Sequence, residues 1–148
     1  HGLNDVVMGS RGIARLLEVE TAVDGVLLTT YRADSLIVAT ATGSTGYALS
    51  AGGPIAYPEA RMMIVQPVAA HVGLRDCLIL HEDSVLELKT VDGLDAIVSV
   101  DGFQNIAIGA GDSVKVQRSP YVARFVRAQS PSAFYGTLTR HPRVRWDP

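Results

Sequence analysis

Thr21-Ala22-Val23-Asp24-Gly25-Val26-Leu27-Leu28 carries the clearest fold signal in the chain, two apolar runs that meet at Asp-Gly. Asp-Gly accepts the two positive φ angles of a type I′ turn, so residues 13–23 and 26–31 are expected to pair as a hairpin. Outward from this point the same grammar repeats. Residues 36–39 (Leu-Ile-Val-Ala) form an unbroken apolar run, as a strand covered on both faces requires, and residues 62–65 and 77–80 read alike. Residues 3–8 are a further apolar element. Residues 85–91 and 96–100 flank Asp92-Gly93 and predict a second hairpin; residues 106–108 and 114–117, on either side of Gly109-Ala110-Gly111, predict a third. In residues 114–117 valines alternate with polar residues, which predicts one wet face. Residues 121–127 make one more strand candidate.

Helical signal is confined to two places. Residues 44–51 allow about two turns, capped by Ser44 or Thr45 and stopped by Gly52-Gly53-Pro54. Residues 131–138 allow a second short helix. About ten strands with one or two short helices predict a mainly β domain, most simply a two-layer β-sandwich. No repeat, low-complexity stretch or linker divides residues 1–148, so a single domain is expected.

Composition narrows the function. With 148 residues, 47% of them hydrophobic and 19% charged, the chain has the means to bury a core. A net charge of −2 provides no electrostatic footprint for nucleic acid or for anionic membranes. The local basic excess between Arg140 and Arg145 reads as a solvated tail. Cys77 is the only cysteine and lies in an apolar run, which predicts a buried, inert thiol and no internal disulfide. No apolar stretch approaches the ~18 residues of a membrane span, and a cytoplasmic setting is expected. The chain opens at His1, without a methionine, and enters an apolar element within two residues, as expected of a piece of a longer protein.

Thr40-Ala41-Thr42-Gly43-Ser44-Thr45-Gly46-Tyr47 follows the apolar run 36–39 and opens the first helical segment. Its small residues and glycine would let a ligand approach the backbone, while Thr42, Ser44 and Thr45 offer hydroxyls and a helix start offers N–H donors. Local chemistry alone is equally served by an ordinary capped turn. The pattern is neither a P-loop nor a Gly-x-Gly-x-x-Gly fingerprint. No His/Cys/Asp/Glu grouping has metal-ligand spacing.

From Tyr31-Arg32-Ala33-Asp34 through this loop to Gly52-Gly53-Pro54-Ile55, the sequence resembles the signature region of NAD kinases. Other motifs of that family stand in order around it: Asn4-Asp5 upstream, then Pro67-Val68-Ala69-Ala70-His71, Ser99-Val100-Asp101-Gly102, and Tyr135-Gly136-Thr137-Leu138 before Trp146. The resemblance covers essentially the whole chain. It implies the C-terminal domain of a two-domain kinase that phosphorylates the adenosine ribose 2′-hydroxyl of NAD, giving NADP. ATP or inorganic polyphosphate would be the donor, with Mg²⁺.

The resemblance also implies roles. Asn4 would contact the nucleotide and Asp5, where many members have Glu, the ribose or nearby polar groups. Thr42, Thr45 and the backbone at Gly46 would hold the adenine edge, with Ser44 another NAD-binding residue of the same loop. Tyr47 would pack near sugar and phosphate, and Ser50 would face the second nucleoside. Asp34 and Ala69 would reach a site across a subunit boundary, implying a homodimer or homotetramer. Gly102 would lie near the nicotinamide end, where some members carry His. The family usually has Pro at position 41 and Ala at 46, so Ala41 and Gly46 put the rigidity of the loop in question, with Gly46 costing the helix up to ~1 kcal/mol.

The carboxylate and phosphate-cradling backbone of that family belong to a Gly-Gly-Asp-Gly motif, which these 148 residues do not contain. The chain is therefore expected to hold NAD without catalysing the transfer on its own. Two other readings compete: a diacylglycerol- or sphingoid-type lipid kinase domain with the same two-domain plan, and a non-catalytic β-sandwich binding module.

Overall fold

The computed structural model describes residues 1–12, 15–91 and 95–138. Trp146, the basic stretch from Arg140 to Arg145 and the Asp92-Gly93 turn lie outside the described residues. Within them, ten strands form two antiparallel sheets. The first has the spatial order β6-β5-β4-β1-β8-β9. Its members are β1 (Asp5–Ser10), β4 (Ser35–Thr40), β5 (Met62–Val68), β6 (Leu78–His81), β8 (Ala96–Val100) and β9 (Gln104–Ile108). The second has the order β10-β7-β2-β3, with β2 (Leu17–Val23), β3 (Val26–Ala33), β7 (Leu86–Thr90) and β10 (Ser113–Val116). The mainly β sandwich expected from the sequence is the observed fold.

The hairpin at Asp24-Gly25 is present. Val23 pairs with Val26, and the two turn residues have φ of 51° and 79°, the positive pair that a type I′ turn demands. The other two expected hairpins are not. β7 pairs with β2 and β10, whereas β8 pairs with β1 and β9, so residues 85–91 and 96–100 belong to different sheets. By the same token β9 and β10 belong to different sheets. Apolar runs beside a turn dipeptide reveal strands but not which sheet they join. The hairpin in this region is instead β8–β9, turning at Asp101-Gly102. Residues 121–127 form no strand; they are exposed and carry no ladder partner among the described residues.

Two cores explain the sequence patterns. Between the sheets, Met8, Leu36, Val38, Val65 and Val98 of the first sheet pack with Leu17, Val19, Tyr31, Leu86 and Leu88 of the second. Each such side chain contributes about 1.5–3 kcal/mol by leaving water. On the outer face of the first sheet, Ile37, Ala39 and Ile64 are covered by Ala41, Ala48 and Ala56. Alternate residues of β4 therefore enter different cores, which is why 36–39 has no polar position. β6 differs from the expectation of a strand covered on both sides: it is an edge strand that alternates half-buried and exposed residues, with Ile79 facing out. β10 keeps its predicted alternation, Val114 and Val116 inward and Lys115 outward beside Glu87.

Candidate functional site

The cover on the outer face is the loop after β4. It begins as a 3₁₀ turn (Thr42–Thr45), breaks at Gly46, and continues as the single turn α1 (Tyr47–Ser50). The two-turn helix expected over 44–51 is thus split, and neither part has a side-chain cap. Ser44 is fully buried, because its hydroxyl donates to the Ala41 carbonyl (2.7 Å) and accepts from the Ala56 amide (3.0 Å). Its side chain pins the loop to the segment that follows instead of presenting itself to a ligand. Gly46 occupies the N-cap of α1, a position that favours glycine over alanine, so the helix-interior cost expected there does not arise. Its N–H, expected to be free for a ligand, donates to the Gly43 carbonyl (2.9 Å). Ala41 has φ −57°, inside the range of proline, so the missing ring leaves the backbone path unchanged.

Gly43 has a different role from the one its neighbourhood suggests. A Cβ placed there would lie 2.0 Å from the Asn4 carbonyl oxygen and 2.8 Å from the Asn4 Cα. The glycine admits the Asn4 backbone, not a ligand. Thr40 completes the joint. Its amide donates to Asn4 O (2.9 Å), and its hydroxyl donates to Leu3 O (2.8 Å) and accepts from Gly43 N (3.1 Å).

On its other side, the start of β1 is gripped by the β8–β9 turn. One Asp101 carboxylate oxygen accepts from the Leu3 amide (2.6 Å), and the other accepts from Asn4 (2.7 Å) and Asp5 (3.0 Å). Partial burial works against this carboxylate, but the three amide donors outweigh it and hold the group below the ordinary carboxylate range. Asp5 moves the opposite way: burial first, and then the Asp101 charge, push its carboxyl up. The Asn4-Asp5 pair, which on its own could have been a simple strand edge, starts a central strand and is held from both flanks.

These joints enclose a cleft of about 370 Å³. Asp5 and Val7 of β1 and Ser99 of β8 form the floor, Asn4, Asp101 and Gly102 one end, and Tyr47 of α1 the wall. Asp5, Val7 and Ser99 share a face, because strand side chains alternate and Val7 is paired with Ser99. Tyr47 is 45% exposed, so it is a wall and not a core aromatic. The structure thus brings together Asn4, Asp5, Tyr47 and Gly102 from three separate motifs. Gly46 adjoins them, since a Cβ there would lie 3.8 Å from an Asp5 carboxylate oxygen. Thr42 is half-buried, and Thr45 and Ser50 are exposed, on the same loop as Tyr47, but none of the three lines the cleft. The Thr45 hydroxyl has only a long contact of 3.4 Å to Thr42 O.

Asp34 and Ala69 stand elsewhere. Both are exposed at the opposite end of β4, where the Asp34 amide donates to Val68 O (3.0 Å) and Ala69 takes φ 50°. Asp34 lies six positions before Thr40, about 20 Å along the strand. Val7 was not expected as a lining residue, while Ser99 and Asp101 entered only as members of the Ser99-Val100-Asp101-Gly102 motif. Once Asp5 is placed at a strand start, the period of two would have found Val7. Among the described residues no grouping of three or more His, Cys, Asp or Glu is arranged to hold a metal ion. Cys77 is half-buried and burial pushes its thiol up, as an inert cysteine requires. Among the described residues no helix is long and apolar enough to cross a membrane.

A family model described as the ATP-NAD kinase C-terminal domain matches residues 3–128. The chain belongs to that family. Curated NAD kinases are similar throughout: one from Chloroflexus aggregans is 44% identical over 141 residues, which is 95% of this chain and 51% of the relative. One from Geobacter sulfurreducens is 38% identical over 97% of this chain and 50% of its own length. The chain therefore spans about half the length of the curated relatives it matches. Among solved structures, an NAD kinase from Archaeoglobus fulgidus in complex with ATP superposes with a TM-score of 0.83 at 29% identity, covering 93% of this chain and 54% of that one. Yeast NADH kinase complexed with NADH superposes at 0.74 with 32% identity, covering 79% of this chain and 34% of that one. Membership in this family favours the nucleotide kinase over both the lipid-kinase and binding-module readings.

Proposed function

We propose that this chain is the NAD-holding domain of an enzyme that phosphorylates the adenosine ribose 2′-hydroxyl of NAD to give NADP. The observation that carries this is the cleft itself, where Asn4, Asp5, Tyr47 and Gly102 converge although up to 98 positions separate them in sequence. Asn4 offers an amide group to the nucleotide, and Asp5 accepts hydrogen bonds from ribose hydroxyls. Tyr47 covers a sugar with its ring and reaches phosphate with its hydroxyl. Thr42, Thr45 and Ser50, on the 3₁₀ turn and the helical turn that carries Tyr47, supply hydroxyls to the two nucleosides. Ser44 supports this loop from beneath. Such a site contributes to phosphoryl transfer by fixing the acceptor hydroxyl in line with the donor, worth several kcal/mol of barrier.

The remaining work belongs to the rest of the enzyme. Asp101 has both oxygens committed to three amides, and the acids here do not fit a resident cation. Mg²⁺ is accordingly taken to arrive with ATP or polyphosphate, and no step is assigned to it in this chain. Asp34 and Ala69, exposed about 20 Å from the loop, serve a neighbouring subunit's cleft in a homodimer or homotetramer. The setting is taken to be cytoplasmic, and neither nucleic acid nor membrane is a partner.

The test is NADP formation measured by a coupled dehydrogenase assay. The intact enzyme converts NAD with ATP or polyphosphate, whereas the 148-residue chain alone does not. Full turnover by this chain alone would overturn the division of labour. No turnover by the intact enzyme with either donor would overturn the function.

A further inference from the structure

The two Asp-Gly turns of the fold are built alike. Asp24-Gly25 and Asp101-Gly102 both have two positive φ angles, 51° and 79° in one and 48° and 72° in the other. In each, the aspartate exchanges a pair of hydrogen bonds with a remote residue at or just before the start of a strand. Asp24 N donates to Val85 O (2.9 Å) and its carboxylate accepts from Val85 N (2.7 Å). Asp101 N donates to Asp5 O (3.0 Å) and its carboxylate accepts from Asp5 N (3.0 Å). They differ in one respect. Asp101 also takes the amides of Leu3 and Asn4, at 2.6 and 2.7 Å, so that three consecutive peptide units converge on one carboxylate.

That difference falls on the segment whose side chains enter the cleft. A residue preceding the ladder of a central strand has no register to fix its peptide plane. Here the carboxylate fixes it, while Thr40 holds the same segment from the other side through Leu3 O and Asn4 O. We propose that Asp101 is a positioning residue for NAD, setting through the Leu3, Asn4 and Asp5 amides the angle at which the Asn4 and Asp5 side chains meet the nucleotide. This rests on the function proposed above. Glycine and asparagine both tolerate the positive φ at this position, so substitution by either leaves the turn intact. Asp101→Gly removes all three acceptor contacts; Asp101→Asn keeps the oxygen shared by Asn4 and Asp5 and loses the one facing Leu3.

The experiment is calorimetric titration of the intact enzyme with NAD, alongside thermal melts, for the parent, Asp101→Gly, Asp101→Asn and Asp24→Gly. Asp24→Gly loses the equivalent turn anchor far from the cleft and serves as the stability control. Expected are an affinity for NAD weakened about tenfold or more in Asp101→Gly, about threefold in Asp101→Asn, and unchanged in Asp24→Gly although its melting temperature falls. Faster amide exchange at Leu3, Asn4 and Asp5 in Asp101→Gly would accompany the loss. Unchanged affinity in Asp101→Gly, or an equal loss in Asp24→Gly, would overturn the positioning role while leaving the function standing. No heat from the parent would overturn both.

Discussion

Gly43→Ala strikes the joint on which the cleft depends. The new Cβ would meet three backbone atoms of Asn4, at 2.0, 2.5 and 2.8 Å, and none is the movable end of a side chain. To bring the shortest of these to an ordinary 3.4 Å contact, the loop and the start of β1 must separate by about 1.4 Å. That opens both bonds that cross the joint, Thr40 N to Asn4 O from 2.9 Å and Thr40 Oγ1 to Leu3 O from 2.8 Å. Overpacking costs about 1–3 kcal/mol and each lost hydrogen bond about 1 kcal/mol, so a total of about 2–5 kcal/mol is expected. For a chain of this size that lowers Tm by about 6–15 °C. Asn4 also leaves its place in the cleft, so affinity for NAD falls with stability. Gly46→Ala is the internal control: its Cβ would meet Gly43 O at 3.3 Å and Asp5 Oδ2 at 3.8 Å, which small adjustments relieve. Thermal melts and NAD titration of both variants decide the matter. A Gly43→Ala protein that melts within about 2 °C of the parent and binds NAD as well would refute the close-approach account.

Asp5→Asn should raise stability at pH 7 while weakening NAD binding. Burial and Asp101 push the Asp5 carboxyl above 3.8, so its charged form opposes folding once pH exceeds the raised value, and the opposition vanishes below 3.8, where folded and unfolded chains are both protonated. The Tm advantage of Asp5→Asn should shrink as pH falls towards 3.8; an advantage independent of pH would contradict it. Asp101 works in the opposite sense: its carboxyl is held below 3.8, so its contribution is complete above 3.8 and is lost as pH falls through the lowered value, an acid-side loss that Asp101→Asn should lack. Tyr31 is fully buried and its hydroxyl has no hydrogen-bond partner among the described residues, so Tyr31→Phe should leave urea stability unchanged or slightly higher, and a loss above about 1 kcal/mol would be the contrary result. Burial pushes the Cys77 thiol up, so a disulfide reagent at neutral pH should label it slowly in the folded protein and rapidly in urea.

Strands were legible in this sequence to the extent that burial left a mark. The run 36–39 announced a strand covered on both faces, and Asp24-Gly25 announced a hairpin, because each pattern has one dominant physical cause. Asp-Gly at 92–93 and the glycines at 109–111 looked equally like hairpins, yet the strands around them cross between the sheets. Pairing partners depend on contacts far apart in sequence, which local patterns do not encode. The loop 40–47 shows the same divide. Its composition signalled close backbone approach, but nothing local said that Asn4 would be the approaching group, or that Ser44 would turn inward. Residues 121–127 have the valines and aromatics of a strand, yet they pair with no strand among the described residues. The cleft was legible as motifs in order along the chain; that Asp101, not only Gly102, shapes it became visible only with the distances to Leu3, Asn4 and Asp5.

The central claim, that NAD sits in the cleft between β1, α1 and the β8–β9 turn, is tested most directly by following backbone amide resonances of the intact enzyme as NAD is added. The structure predicts saturable shifts at Asn4, Asp5, Gly46, Tyr47 and Gly102, with Asp24 and Lys115 unmoved. Shifts confined to other surfaces, or none at saturating NAD, would contradict it.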